Sequence, residues 1–213
     1  MKFIKEILLL ASLIFATSFV FSADNVSKLE LKSNEIINGI ILNSSFLFKT
    51  IYGSISIPPS FIISIEIGDK ENKLRSIYDE IITGYLGTEY VELKTGETKL
   101  KIQKENIRHI SINYVIEGKK IYSSYLEMKN GDRLFGEITN DLFQITTTYG
   151  TLDIPFKSIS KIEDIEGTTK VFMVNGNIMQ GYISSPYLNV KLNYGVTIDI
   201  PKSSVKIVNL NQN

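Results

Sequence analysis

Side chains that carry catalysis are scarce in this sequence. His109 is the only histidine, and cysteine is absent. On a predicted strand, a lone histidine is typical of a half-exposed structural residue rather than of a base or a metal ligand. No Gly-x-Ser-x-Gly motif supports a Ser-His-Asp triad. We therefore predict that the protein is not an enzyme and requires no cofactor.

Acidic residues cluster in one segment of the chain. They are Glu127, Asp132, Glu137, Asp141, Asp153, Glu163, Asp164 and Glu166. Two such carboxyl groups could form a glycosidase pair or a weak calcium site. Most of them fall on outward strand positions or in turns, and no Asp-x-Asp-x-Asp-Gly loop occurs. The pattern therefore favours a solvated face and predicts no metal site.

Basic residues concentrate in the preceding segment. They are Lys94, Lys99, Lys101, Lys104, Arg108, Lys119 and Lys120. One interpretation is an anionic partner, such as lipopolysaccharide, a lipid headgroup or an acidic protein. The other, which we favour, is that the lysines protect a border strand from unwanted pairing. Because the two neighbouring segments carry opposite charges, head-to-tail self-association is a further hypothesis.

A candidate binding surface follows from residue types that the rest of the pattern does not use. Tyr122, Tyr125 and Tyr187 lie outside the repeat pattern described below, and exposed tyrosines are enriched at interfaces. The predicted surface combines them with the first five basic residues: Lys94, Lys99, Lys101, Lys104 and Arg108.

The N-terminal segment has the composition of a secretory signal peptide. Lys2 and Lys5 precede an apolar stretch at residues 7–21, and small residues follow that suit cleavage after Ser22 or, nearly as well, after Ala23. This stretch is shorter than the roughly 20 residues that span a bilayer, which favours a cleaved signal over an anchor. We predict a signal peptide at 1–22 and an exported protein, either periplasmic or at the cell surface.

The exported part is nearly neutral. Removing two lysines and one glutamate from 23 residues of each sign leaves 21 basic and 22 acidic residues. Such a balance gives no general attraction to nucleic acid, so no nucleic-acid partner is expected. No second apolar run approaches spanning length. The composition leaves peripheral membrane association open and predicts no integral one.

Internal repetition is the strongest pattern in the chain. Four glycines, spaced 45, 52 and 45 residues apart, each have an apolar residue two positions before and two positions after: Gly39, Gly84, Gly136 and Gly181. A later Tyr-Gly pair recurs at Tyr52-Gly53, Tyr149-Gly150 and Tyr194-Gly195, with Thr95-Gly96 in the second copy. We predict four tandem copies of about 45 residues.

Apolar residues alternate with polar ones within each copy, which predicts strands. Asn130-Gly131 and Asn175-Gly176 are typical of tight hairpin turns. A glycine on a core-facing strand position indicates a bend or a close backbone approach. Tyr149 and Tyr194 flank turns on the apolar face, so we expect them to fill the core.

The predicted order within one copy is hairpin, bent strand, hairpin, helical turn and fifth strand. It resembles the Sm-like and SH3-like small β-barrels, best over residues 128–162, and also repeats of exported bacterial proteins of unassigned function. The resemblance implies an all-β fold of four five-stranded units. RNA-binding Sm proteins carry an Arg-Gly in the later loop, whereas this chain has Tyr149-Gly150-Thr151, so RNA binding is not implied.

Because a unit of this size is marginal alone, we expect neighbours to pack in pairs or to share strands. The predicted layout is two repeats at 24–112, a connecting hairpin at 113–124 and two repeats at 125–213; one continuous β-array is the alternative. We predict a non-catalytic binding or assembly module of the cell envelope, with an envelope protein or a second copy as partner. The alternative function is a small outer-membrane β-barrel protein.

Overall fold

The computed structural model describes residues 26–113, 124–165 and 167–210. The all-β prediction is confirmed, because twenty strands form one antiparallel sheet and the described residues contain no α-helix. Among those residues no helix is long and apolar enough to cross a membrane. The predicted signal peptide, Tyr122 and all but the first and last residue of the predicted connecting hairpin lie outside the described residues.

Five strands follow one another in the same order four times, with a 3-10 helix between the fourth and the fifth. We call these groups blocks 1 to 4. Block 1 contains β1 (Ser27–Leu31), β2 (Ile36–Ile41), β3 (Phe46–Thr50), β4 (Gly53–Ile57), the 3-10 helix Pro59–Phe61 and β5 (Ile62–Ile67). Block 2 contains β6 (Asn72–Ser76), β7 (Ile81–Leu86), β8 (Tyr90–Thr95), β9 (Thr98–Gln103), the 3-10 helix Lys104–Asn106 and β10 (Ile107–Ser111).

Blocks 3 and 4 have the same composition. Block 3 contains β11 (Ser124–Met128), β12 (Arg133–Ile138), β13 (Leu142–Thr147), β14 (Gly150–Pro155), the 3-10 helix Phe156–Ser158 and β15 (Ile159–Ile165). Block 4 contains β16 (Thr168–Met173), β17 (Ile178–Ile183), β18 (Tyr187–Leu192), β19 (Thr197–Pro201), the 3-10 helix Lys202–Ser204 and β20 (Val205–Leu210).

The turn between the first two strands has one conformation in all four blocks. The residue five positions before the spaced glycine has a positive φ in each: Asn34, Asp79, Gly131 and Gly176. Asn and Asp tolerate this left-handed region better than other residues with a side chain, and glycine enters it freely. Ser33-Asn34 in block 1 and Tyr78-Asp79 in block 2 therefore form the same hairpin turn as the Asn-Gly pairs of blocks 3 and 4.

Strands pair mainly across blocks rather than within them. Inside block 1 only β1–β2 and β3–β4 pair, while β3 pairs with β7 of block 2 and β2 pairs with β8. The first and fifth strands are also exchanged, since β5 pairs with β6 and β1 with β10. Pairing β5 with β10 joins the two blocks into one curved sheet, which we call the first half.

Blocks 3 and 4 form the second half with the same exchange. There β13 pairs with β17, β12 with β18, β15 with β16, β11 with β20 and β15 with β20. Among the described strands, no barrel is therefore closed within a single block. Sharing strands gives each block a larger core than about 45 residues could enclose alone. The sheet is open, because β4, β9, β14 and β19 each have one paired neighbour among the described strands.

The four spaced glycines lie where the exchanged strands cross most closely. A Cβ atom on Gly136 would lie 2.6 Å from the carbonyl oxygen of Lys191, and one on Gly84 would lie 2.4 Å from that of Lys49. The corresponding oxygens for Gly39 and Gly181 belong to Lys94 and Thr146. A real Cβ does not approach an oxygen so closely. Only glycine therefore fits at the point where the third strand of one block crosses the second strand of the neighbouring block.

Buried apolar residues from all four blocks form one hydrophobic core. Buried positions alternate along β3 and β8, where Phe46 and Phe48 alternate with Leu47, and Val91 and Leu93 with Glu92. Each fifth strand buries its first and fourth residues, as in Ile62 and Ile65. The chain thus stabilises its long sheet by apolar burial, without disulfides.

Candidate binding surface

The two halves meet at a buried polar joint. Asp132, 1% exposed, precedes β12 in the second half. Its Oδ2 accepts hydrogen bonds from the Tyr52 hydroxyl and from the Thr83 amide of the first half, each at 2.9 Å. Burial, and then the negative charge of Asp132, raise the pKa of Tyr52, so this phenol stays protonated and donates. The solvated role predicted for the acidic cluster is therefore wrong for Asp132, because the turn that carries it docks against the other half.

Glu80 is the counterpart of Asp132 in the first half, since each lies four residues before a spaced glycine. Glu80 Oε1 accepts the amide of Phe135 at 3.1 Å. Burial raises the pKa of Glu80 to about 7, although hydrogen bonds from Phe135 and Ser76 oppose the shift. Tyr194 lies nearby, and burial followed by the charge of Glu80 raises the pKa of its phenol well above the usual range.

The joint is approximately symmetric about a single backbone bridge. Arg133 of β12 lies opposite Ile81 of β7, and both lie three residues before a spaced glycine. On one side the Tyr52 hydroxyl donates to Asp132, and on the other Tyr194 lies near Glu80, although its hydroxyl has no hydrogen-bond partner among the described residues. The edge strands β4 and β19 also approach each other across the joint. The joint is therefore a two-fold-like contact between equivalent parts of the two halves.

An open groove of about 750 Å³ lies on the second half, away from the joint. It is formed by the β13–β14 turn and the start of β17, and its lining includes Thr146, Tyr149, Leu152, Ile178, Gln180 and Tyr182. We call this surface the Tyr149 groove. Exposed large apolar side chains flank threonine hydroxyls here. A surface of this composition is typical of a protein-binding site.

Tyr149 departs from the sequence-based expectation. The prediction that it fills the core is wrong, because its side chain is 97% exposed, whereas Tyr52 and Tyr194 are 2% and 8% exposed. All three occupy the same turn position. Each lies three residues beyond the residue whose carbonyl oxygen packs against a spaced glycine, which is Lys49, Thr146 or Lys191. The difference arises because the joint covers Tyr52 and Tyr194 while no described residue covers the groove. Polar neighbours were the available signal, since Thr147 and Thr148 precede Tyr149.

Strand register also corrects the equivalent position in block 2. The β8–β9 hairpin closes at Thr95 opposite Thr98, just as β3–β4 closes at Thr50 opposite Gly53. The two-residue turn is therefore Gly96-Glu97. The residue equivalent to Tyr52 is Glu97, not Thr95 as the Tyr-Gly alignment suggested.

The predicted basic surface is only partly assembled. Lys94, Lys99 and Lys101 share the outer face of the β8–β9 hairpin, with Lys94 directly opposite Lys99. Lys101 also lies 4.4 Å from the ring centre of Tyr90. Elsewhere, the ammonium group of Lys104 donates to the carbonyl of Leu86 at 2.7 Å, and Arg108 pairs with Glu30 at 3.2 Å. Lys101 also pairs with Glu92 at 4.0 Å, so Lys94 and Lys99 remain as a small basic patch on this hairpin.

The predicted tyrosines do not join this patch. Tyr125 belongs to β11 in the second half, where its ring centre lies 5.3 Å from that of Phe135. Tyr187 starts β18 and is exposed. His109 lies on β10 with its Nδ1 3.2 Å from the Ser111 hydroxyl. The structure therefore separates the predicted basic and aromatic residues into different surfaces.

Ion pairs occupy several of the remaining acidic residues. Glu127 pairs with Lys206 and Asp164 with Lys129, each at 2.6 Å. Within the described ranges, no group of three or more His, Cys, Asp or Glu side chains is arranged to hold a metal ion.

Comparison with protein-family models, curated proteins and solved structures finds no match for this chain.

Proposed function

We propose that the protein is an exported, non-catalytic binding or assembly module of the cell envelope, built from tandem units of the Sm-like and SH3-like kind. The Tyr149 groove is the observation that carries the proposal. A tyrosine that is almost fully exposed beside Ile178, Tyr182 and Leu152 is costly to leave in water unless a partner covers it. The groove is therefore the surface where we expect a protein partner to bind.

The groove has the anatomy of a protein-binding site. Tyrosine offers a large rigid ring and a hydroxyl that seeks a hydrogen-bond partner, which makes it a frequent anchor at interfaces. Around it, the Thr146 hydroxyl is exposed and lies 2.7 Å from that of Ser184. Apolar side chains beside hydroxyl groups in one groove suit a protein surface.

Export is tested by the mass of the mature protein. Cells of the native host are fractionated, and the protein is recovered and its N-terminal peptide identified. We expect a chain that lacks residues 1–22 and that is found outside the cytoplasm. A cytoplasmic chain that begins at Met1 contradicts the exported part of the proposal.

Binding is tested by photo-crosslinking in intact cells. A photoreactive phenylalanine analogue replaces Tyr149, and the matched control carries it at Glu71, which is exposed in the β5–β6 turn. We expect protein adducts from position 149 and none from position 71. Equal yields from both positions, or adducts from neither, contradict a binding role for the groove.

A further inference from the structure

The internal joint provides a template for a second contact. Exchanging blocks 1 and 2 maps the first half onto itself, because every strand pairing within it has a counterpart. For example, Lys49 opposite Tyr85 becomes Lys94 opposite Ile40. The second half has the same property. Each half therefore carries two equivalent docking faces, of which the joint uses one.

The unused face of the second half is the Tyr149 groove. The joint uses Asp132 and Arg133 of block 3 with Tyr194 of block 4. The exchange of blocks converts these residues into Asn177 and Ile178 of block 4 with Tyr149 of block 3. Ile178 is 61% exposed and Tyr149 is 97% exposed.

The unused face of the first half lies at the start of β2. The joint uses Glu80 and Ile81 of block 2 with Tyr52 of block 1. The exchange converts them into Glu35 and Ile36 of block 1 with Glu97 of block 2. Ile36 is 54% exposed, so this face, which we call the β2 face, also presents an uncovered apolar residue.

We propose that a second copy of this chain docks head to tail, the Tyr149 groove of one copy covering the β2 face of the next. This contact deepens the proposed binding function by naming its partner. Ile178 then lies against Ile36, as Arg133 lies opposite Ile81 in the joint. The Tyr149 hydroxyl is then placed at the position that Tyr194 holds beside Glu80 in the joint, and it donates to the Glu35 carboxylate as the Tyr52 hydroxyl donates to Asp132. A head-to-tail contact leaves one Tyr149 groove and one β2 face free at the two ends of the dimer. Further copies can therefore bind at each end and form a linear assembly.

The side chains on the two unused faces favour this arrangement over a symmetric contact between two β2 faces. Head to tail, the second polar position joins the Asn177 amide to the Glu97 carboxylate, so both carboxylates gain a donor. Two β2 faces placed together would instead oppose Glu35 to Glu97, and like charges at a buried contact are costly. Because of these two carboxylates, the β2 face binds the Tyr149 groove more favourably than it binds a second β2 face.

Edge strands add charge complementarity. The edge strands β4 and β19 approach each other at the joint. The exchange of blocks converts β4 into β9 and β19 into β14. Head-to-tail docking therefore brings β9 of one copy toward β14 of the neighbouring copy. The outer face of β9 carries Lys99 and Lys101, and β14 carries Asp153. Opposite charges at an exposed edge attract and are screened by salt. Association is expected to weaken as ionic strength rises.

Disulfide trapping tests the contact, because the chain contains no native cysteine. The variants Ile36→Cys and Ile178→Cys are purified separately as processed full chains and oxidised alone and as an equimolar mixture. We expect a covalent dimer from the mixture and monomers from each variant alone. The control mixes Ile178→Cys with Ile63→Cys, an exposed isoleucine of β5 outside both faces.

A disulfide dimer from Ile178→Cys alone overturns the head-to-tail contact in favour of a symmetric one, and monomers in every sample overturn self-association. Sedimentation of the cysteine-free chain supplies a second measurement. Glu35→Lys is expected to weaken association at least about tenfold and Glu71→Lys to leave it unchanged. If the purified chain stays monomeric while crosslinks from position 149 in cells capture a different protein, this inference fails and the proposed function stands.

Discussion

Tyr52 and Tyr149 occupy the same turn position but have opposite environments. The buried Tyr52 hydroxyl donates to Asp132 Oδ2 at 2.9 Å, whereas the exposed Tyr149 side chain projects into the groove. The same residue type therefore contributes to stability at one site and is available for recognition at the other. Residue identity and spacing alone do not distinguish these roles, because the distinction depends on which face the other half covers.

Removing the two hydroxyl groups measures this difference. Tyr52→Phe leaves the buried carboxylate of Asp132 without one of its two donors, so we expect the free energy of unfolding to fall by about 1–3 kcal/mol. Tyr149→Phe, the matched change, is expected to alter it by less than about 0.5 kcal/mol. Urea unfolding followed by circular dichroism measures both. Equal losses would contradict the assignment of Tyr52 to the joint.

Glu80 gives the joint a pH dependence. Its pKa of about 7 in the folded state lies above the ordinary value of 4.5, so between these values the folded chain holds a proton that the unfolded chain has released. Raising the pH through this window therefore lowers the free energy of unfolding, by about 3 kcal/mol in total for this group. Below the window the contribution vanishes.

Glu80→Gln tests that dependence, because glutamine still accepts the Phe135 amide and does not titrate. We expect the free energy of unfolding of the variant, relative to the original chain, to increase as the pH rises from about 4 to about 8. Unfolding in urea at several pH values gives the difference directly. Parallel curves for the two proteins would show that Glu80 is not buried at the joint.

At the level of elements, glycine determines how closely the exchanged strands cross. In Gly136→Ala the new methyl group would lie 2.6 Å from the Lys191 oxygen and 2.9 Å from Val190 Cγ1, so the strands must move apart. We expect the free energy of unfolding to fall by about 1–3 kcal/mol, measured by thermal or urea unfolding.

Gly176→Asn provides the control for this substitution. Gly176 has a φ of +87°, and no heavy atom lies within 4 Å of the position where its Cβ would be. Asn34 has a positive φ at the same position of block 1, so asparagine should be accepted there with a smaller loss. A larger loss for Gly176→Asn than for Gly136→Ala would contradict the close-approach role of Gly136.

The positions of individual strands and turns can be predicted from the sequence, whereas the pairing partners of the strands cannot. Alternation predicted β18 and β19 around Tyr194-Gly195, and Asn130-Gly131 predicted the β11–β12 turn, because these signals act within a few residues. The choice between pairing β3 with β2 and pairing it with β7 depends on contacts about forty residues apart. Since both second strands carry the same apolar pattern, the local pattern fits either partner.

The candidate surfaces follow the same division. Lys94, Lys99 and Lys101 share a face of one hairpin, because residues opposite each other or two apart on paired strands lie on the same side of the sheet. Tyr149 was assigned to the core because its position matches Tyr52 and Tyr194. The groove appears only when both halves are placed, since the joint covers one docking face of the second half and leaves the other uncovered.

At the level of the whole molecule, the exchange of strands explains both stability and the proposed assembly. Each block contributes hairpins to its neighbour, so a half is an inseparable pair of blocks with two equivalent faces. One face of each half forms the joint around Asp132 and Glu80. The remaining two faces are the ones we propose to join successive copies of the chain.

Trapping the β3 partner inside one molecule tests this architecture most directly, since engineered cysteines have no native thiol to compete with. Lys49 lies opposite Tyr85 across β3–β7, at a separation that suits a disulfide. In a barrel closed within block 1, the equivalent partner of Lys49 would be Ile40. We predict that Lys49→Cys with Tyr85→Cys forms an intramolecular disulfide, identified by peptide mass, and that Lys49→Cys with Ile40→Cys does not. A disulfide between positions 49 and 40 in the monomeric chain, with none between 49 and 85, would contradict the exchange of strands.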